Sequence, residues 1–448
     1  MNIVIIGNGI AGITAARYIR KQSDHTITVV SPETEYFYSR PALMYVYMGH
    51  LKFEHTKPYE DWFWKKNNID VVHDYALSVN HKDKKVLLQS GNILGYDKLI
   101  LATGSKTNKF GWKGQDLAGV QGLYSKQDLD LMERNTRNIS RGIVVGGGLI
   151  GIEVAEMLHS RNIPVTMLVR ESGYWNSILP AEESVMISRH IRHQGIELRL
   201  ETELKEILPD SNGRVRGVIT SKGDEIAAQF VALTAGVSPN IDLALKSEIP
   251  TKRGVLVNSF FETQIQDIYA IGDCAEIVTA NDGNNRVEQL WYTGEMHGET
   301  VAESICSGRT EYNRGILFNS AKFFDIEYHT YGSVNLNTPG EKSIYWEHPD
   351  HRRSIRIVYN DTQVIGFNNL GVRYRHKICE QWIAEKRTIE YVLEHLSEAN
   401  FDPEFFTRFE PEIIALYNKK NGKSLAAGKT RGLFGYKKFL SGVPSSML

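Results

Sequence analysis

Two glycine-spaced segments carry the first chemical signal in this 448-residue chain. Gly7-Asn8-Gly9-Ile10-Ala11-Gly12 follows the apolar run Ile3-Val4-Ile5-Ile6, and Gly146-Gly147-Gly148-Leu149-Ile150-Gly151 follows Ile143-Val144-Val145. In such a segment the first glycine permits a tight turn and the second lets the backbone approach a pyrophosphate. The third allows close helix–strand packing, and the anion rests on exposed amides at the helix N-terminus. One copy is a weak signal, because any glycine-rich strand–helix connection reproduces it. Two copies, each after an apolar strand and opening a helix, point to two nucleotide-binding units. Two further segments add to this. Tyr96-Asp97-Lys98-Leu99-Ile100-Leu101-Ala102-Thr103-Gly104 reads as a strand entering a small-residue turn, and Asp267-Ile268-Tyr269-Ala270-Ile271-Gly272-Asp273 as a strand ending in Gly-Asp. Each by itself is an ordinary buried strand and turn, although a carboxylate at Asp273 could accept hydrogen bonds from a polyol chain.

The elements that must position these residues are βαβ units. The first runs from the opening strand through a helix reaching Arg20 to a strand at 26–30. The second runs from the strand at 143–145 through a helix reaching His159 to a strand at 165–169. From about Glu311 the texture changes. Alternating runs at 321–328, 343–346, 354–359 and 363–367 predict a meander of antiparallel strands. A helix follows over 375–396, with Ile378, Trp382, Ile389, Leu393 and Leu396 on one face. Beyond Asn421 the chain is rich in Gly, Lys and Ser and has no period.

Composition narrows the classes. Length alone suggests about three domains. Lys plus Arg number 52 and Asp plus Glu 53, a net charge of −1 that gives no electrostatic ground for nucleic-acid binding. A hydrophobic content of 42% suffices for full-sized cores. The three cysteines, Cys274, Cys306 and Cys379, are too far apart for a redox pair and odd in number, which fits a reducing compartment. No segment reaches the roughly 18 apolar residues of a transmembrane helix, so a cytoplasmic protein is expected.

Taken together and in this order, the four segments resemble the FAD-dependent pyridine nucleotide–disulfide oxidoreductase superfamily, over the chain from Met1 to about Leu396. The resemblance implies an α/β fold of two doubly wound (Rossmann-like) nucleotide-binding domains and a C-terminal α+β interface domain mediating a homodimer. The FAD domain would be discontinuous, 1–110 with 255–310. The NAD(P)H domain would be 111–254, the interface domain 311–420 and the basic tail 421–448. It implies that Gly7, Gly9 and Gly12 hold the FAD pyrophosphate, and that Gly272-Asp273 binds its flavin side. Thr103 and Gly104 match the family's exit turn from the FAD domain. Gly146, Gly148 and Gly151 would hold the nicotinamide dinucleotide, with Gly236 in a second exit turn, Ala235–Asn240. Glu153 is read either as lying near the nicotinamide or as an acid favourable in a helix's first turn. Tyr38-Ser39-Arg40-Pro41-Ala42-Leu43 is similar to the flavin-facing stretch of rubredoxin and ferredoxin reductases and of nitrite-reductase flavoprotein domains.

The departures from the family pattern are chemical. Disulfide-type members carry a redox cysteine near Arg40. Here no cysteine precedes Cys274, so a thiolate relay is disfavoured and Cys274 reads as a small core residue. Ser31 stands where an acid often binds the adenosine ribose, which makes Glu33 the substitute. Met44-Tyr45 replaces a lysine that can pair with the acid equivalent to Glu153. Trp291, opening a helix, either lines the active site or is core. His190 and His193 share a helical face that reads as solvated rather than metal-binding. Val169-Arg170 occupies the ribose-binding position of the second unit. Arg170 there suits the 2′-phosphate of NADPH while Glu171 argues for NADH, and NADPH is the expectation. The expected reaction is hydride transfer from NAD(P)H to FAD with no catalytic side chain and no metal. The leading acceptor is a small redox protein of rubredoxin or ferredoxin type, or a small molecule. The alternatives are a membrane quinone reached through the Lys429–Leu440 tail and a low-turnover flavin-bound sensor.

Overall fold

The computed structural model describes residues 1–278, 285–335, 339–401 and 407–428. Its backbone divides into two compact units, residues 1–175 with 191–314, and residues 176–190 with those from 315 onward.

In the first unit, the run Ile3–Ile6 forms the middle strand, Asn2–Ile6, of a five-stranded parallel sheet. The order is Ile268–Ala270, Lys98–Leu101, Asn2–Ile6, Thr26–Ser31, Ile69–His73. A central strand is covered on both faces, which is why four consecutive β-branched residues are tolerated and all are buried. A second five-stranded parallel sheet repeats the plan: Glu197–Arg199, Val165–Leu168, Gly142–Val145, Phe230–Leu233, Val120–Gln121. Again the strand leading into a glycine turn is central. The helices that leave the turns are Ile10–Gln22 and Leu149–Ser160, each N-capped by the middle glycine of its motif.

Register decides which segments meet. Ile6 pairs with Leu101, and Leu101 with Ala270. The three chains therefore leave the sheet side by side as Gly7, Ala102 and Ile271. In the second sheet Val145 pairs with both Leu168 and Leu233, so Gly146, Val169 and Thr234 emerge together. The two exit turns are joined by a short antiparallel pair, Ser105–Thr107 with Val237–Pro239.

The second unit holds a five-stranded antiparallel sheet ordered Phe318–Phe323, Ile326–Gly332, Gln363–Leu370, Ser354–Asn360, Glu341–Glu347. Four expectations are corrected here. The run at 321–328 is a hairpin rather than one strand, turned at Phe324 with φ +56°. Nor is the sheet a simple meander, because Glu341–Glu347 takes the far edge and Gln363–Leu370 returns to the middle. The helix expected over 375–396 is likewise two helices, His376–Ala384 and Ile389–His395. Lys386 adopts φ +52°, and Thr388 restarts the helix by accepting a hydrogen bond from the Tyr391 amide through its side chain. The helical spacing survives the break: Trp382, Ile389, Leu393 and Leu396 are buried in one core with Ile378 packed against it. A further helix, Glu410–Asn421, has no counterpart in the sequence reading. His190 is also corrected. It is buried rather than solvated, with Nε2 2.8 Å from Asp325 and its ring edge-on to Phe324. The Lys429–Leu440 segment lies outside the described residues. Among those described, no helix is long and apolar enough to cross a membrane.

Candidate functional site

The carboxyl ends of the first sheet open into a cavity of about 720 Å³, the place where open parallel sheets bind ligands. Its wall includes Gly7, Gly9, Glu33, Arg40, Pro41, Thr103, Gly104, Gly272, Asp273 and Trp291. Leu149, Ile150 and Glu153 of the second turn's helix reach it too. Gly12, Gly146, Gly148, Gly151, Arg170 and Gly236 do not line it.

The first turn is tight where packing demands and open where a ligand would come. Gly7 has φ +116°, and a Cβ on it would sit 2.1 Å from the Ala102 carbonyl oxygen; one on Gly12 would sit 2.1 Å from that of Gly7. A Cβ on Gly9 would meet nothing within 4 Å. The second turn repeats this pattern. Gly146 has φ +124° with the Thr234 carbonyl oxygen 2.6 Å from a would-be Cβ, Gly151 has the Gly146 oxygen at 2.5 Å, and Gly148 has open space. Tyr174, fully buried, donates to the Gly148 carbonyl at 2.8 Å.

Glu33 is bound on several sides. Arg40 donates to it bidentately, Nη1 to Oε1 at 2.8 Å and Nη2 to Oε2 at 2.7 Å. The Lys126 amide donates to Oε1 at 3.0 Å, and the Tyr38 hydroxyl donates there as well. Burial works to raise the Glu33 carboxyl, but Arg40 and Tyr38 outweigh it and hold the group below the usual range. Arg40 also lies over the Tyr124 ring, 4.4 Å from its centroid, and donates to the Tyr124 carbonyl.

Asp273 is half-buried. Its Oδ2 accepts from Ser105 Oγ at 2.9 Å and from the Tyr124 hydroxyl at 3.3 Å. Burial pushes its carboxyl above the usual range, against the pull of those hydrogen bonds and of the Arg40 charge. Tyr124 in turn accepts from the Ser105 amide at 2.9 Å. The two exit turns are locked to each other: Thr103 Oγ1 donates to the Asn240 carbonyl at 2.6 Å, and the Asn240 amide donates to the Gly104 carbonyl at 2.8 Å. Trp291 is the first residue of the helix Trp291–Cys306; it lines the cavity and packs beside Phe37, ring centroids 6.1 Å apart.

None of the three cysteines lines the cavity. Cys274 is buried, with Sγ donating to the Ile271 carbonyl at 3.2 Å, and burial pushes its thiol up. Val169 is buried, its side chain 2.8 Å from a would-be Cβ on Gly147. Arg170 is exposed and paired with Glu171 at 2.9 Å. Ser105, Tyr124 and Lys126 escaped the sequence reading. The one available signal was the capping box Ser125-Lys126-Gln127-Asp128, which fixes where that helix starts and hence where the Lys126 amide points.

Residues 1–298 match the family described as pyridine nucleotide-disulphide oxidoreductase. The nitrite reductase [NAD(P)H] of Bacillus subtilis is 28% identical over 369 residues, 81% of this chain but only 45% of that protein. The NADH-rubredoxin oxidoreductase of Clostridium acetobutylicum is 28% identical over 340 residues, 76% of this chain and 83% of that one. Among solved structures, a ferredoxin reductase from Rhodopseudomonas palustris shares the fold with a TM-score of 0.77 at 21% identity, over 92% of this chain and 99% of that one. The chain thus belongs to the pyridine nucleotide-disulphide oxidoreductase family, as an oxidoreductase that uses FAD and NAD(P)H.

Proposed function

We propose that this chain takes electrons from NAD(P)H through FAD and delivers them to a small redox protein of rubredoxin or ferredoxin type. One observation carries the reading: a single cavity is walled by the first glycine turn and Gly272-Asp273 on one side, by Leu149, Ile150 and Glu153 on another, and by no cysteine. The names of the relatives, a rubredoxin oxidoreductase and a ferredoxin reductase, favour the acceptor class.

The residues present fit FAD. The open space at Gly9, between two glycines that admit no Cβ, is a cradle for a pyrophosphate, which the first amides of Ile10–Gln22 would hold. Asp273 would accept from the ribityl hydroxyls. Glu33, whose Oε2 accepts from Arg40 alone among the described residues, would accept from the adenosine ribose. Arg40, Pro41, Thr103, Gly104 and Trp291 would complete the wall. Gly146, Gly148, Gly151 and Gly236 would place the dinucleotide so that its nicotinamide enters beside Glu153. Arg170 would favour NADPH. FAD held there would supply the hydride-accepting and electron-passing chemistry; the protein's part is to orient both cofactors and exclude water. No side-chain base or nucleophile is required.

The domain division 1–110 with 255–310, 111–254 and 311–420 belongs to the same proposal, as does a cytoplasmic homodimer. Steady-state turnover with rubredoxin, ferredoxin and a quinone tests the reading. Fast reduction of either iron–sulfur protein is expected. Turnover with quinone alone, in a lipid-dependent way, would overturn the acceptor assignment.

A further inference from the structure

The helix Trp291–Cys306 buries a stripe of small side chains: Thr293, Gly294, Gly298, Val301 and Ala302. Its glycines allow close approach to the helix of the first glycine turn, since a Cβ on Gly298 would lie 2.6 Å from the Ala11 carbonyl oxygen. One bulky polar side chain interrupts the stripe. His297 is fully buried, packed against the rings of Phe261 at 4.4 Å and Tyr312 at 4.7 Å.

Its hydrogen bonds settle its protonation. The Gly272 amide donates to His297 Nδ1 at 3.1 Å. A backbone N–H can only donate, so Nδ1 carries no proton. The proton is therefore on Nε2, which faces Glu288 Oε2 at 3.3 Å. Glu288 is itself buried and held by the Tyr312 hydroxyl at 2.7 Å and by Arg314 at 3.5 Å. Burial also lowers the His297 pKa, against the upward pull of Glu288 and Asp273. Gly272 is pinned from the other side as well, a Cβ on it falling 2.8 Å from that of Ala11.

We propose that His297 is a positioning residue for the cofactor turn: its Nε2-protonated imidazole, oriented by Glu288, holds the Gly272 amide so that Asp273 presents its carboxylate to the cavity. This rests on the reading of Gly272-Asp273 as an FAD contact. Without an acceptor beneath it, the Gly272 N–H is left buried and unpaired, and the turn gains freedom that FAD binding must remove.

The test compares His297→Leu, which supplies no acceptor, with His297→Gln, whose amide can accept from Gly272 and donate to Glu288. FAD dissociation constants are read from the fluorescence of FAD released on dilution of the full-length holoprotein, with thermal unfolding of each variant beside them. His297→Leu should weaken FAD binding by about tenfold or more, whereas His297→Gln should stay within about threefold of the unsubstituted protein. Should the leucine variant not fold, His297→Asn takes its place, its shorter amide ending short of Gly272, with the same loss expected. Equal affinities in all variants, or equal loss with and without an acceptor, would overturn the proposal. An unsubstituted protein that holds no FAD would instead overturn the reading of the turn itself.

Discussion

Gly7 and Gly146 leave the ends of two central parallel strands with nearly the same backbone, φ +116° and +124°, and each is followed by a glycine beside open space. Their surroundings differ. Around the first turn, Glu33, Arg40, Tyr38 and Tyr124 form one hydrogen-bonded wall, and Ser105, Tyr124 and Asp273 another. After the strand that follows the second turn's helix stand a buried Val169 and an exposed Arg170 paired with its neighbour Glu171. A dinucleotide held by many pre-oriented groups at low cost in ordering stays bound. One held at an open turn exchanges, as a substrate must. On the proposed reading, the same motif would serve a resident cofactor and a diffusing one, with the difference lying in the residues around it.

The largest expected effect breaks the comparison at its base. Gly7→Ala forces a methyl onto the Ala102 carbonyl at a φ that L residues avoid, and should cost roughly 2–4 kcal/mol, read as a lower denaturant midpoint with loss of yellow colour. Gly146→Ala should destabilise comparably yet leave FAD bound while abolishing reduction by NAD(P)H. If both variants lose FAD equally, the two turns do not divide the cofactors.

Asp273→Ala sharpens the contrast. It removes charge-assisted hydrogen bonds worth about 1.5–3 kcal/mol, so FAD affinity should fall roughly ten- to hundredfold with no change in the KM for NAD(P)H. Unchanged retention on gel filtration would remove Asp273 from the site. Arg170→Ala addresses the other turn. It should lower kcat/KM for NADPH by about tenfold, with a much smaller loss for NADH and full FAD content. Equal losses with both coenzymes would remove Arg170 from the specificity determinant.

The smallest effect is expected at Cys274. Replacement by alanine should cost about 1 kcal/mol of stability and leave stopped-flow reduction of the flavin by NAD(P)H intact. Complete loss of reduction in the folded variant would restore a thiol to the mechanism.

How far the sequence could be read depends on the range of the interaction involved. The glycine turns were legible because each is local: strand, turn and helix are set by neighbouring residues, and observed element ends fall within two residues of expectation, as at Gln22 against Arg20. The break at Lys386 was not legible, because the apolar spacing carries across it while a single residue at φ +52° turns the chain. His190 was misread for a related reason: a histidine on a helix says nothing of an Asp325 more than a hundred residues away.

By itself, then, the sequence determined the two glycine turns and the parallel strands that feed them, which follow from steric and hydrophobic rules acting over a few residues; the family followed from the resemblance carried by those segments and their order. The tertiary structure alone decided that Gly7, Ala102 and Ile271 leave one sheet side by side, through the pairing of Ile6 with Leu101 and Leu101 with Ala270. It also decided that Glu33 is shared with Arg40 and that His297 lies beneath Gly272. Each of those contacts joins residues whose separation along the chain carries no periodicity, so only sheet register and helix packing bring them within hydrogen-bonding distance.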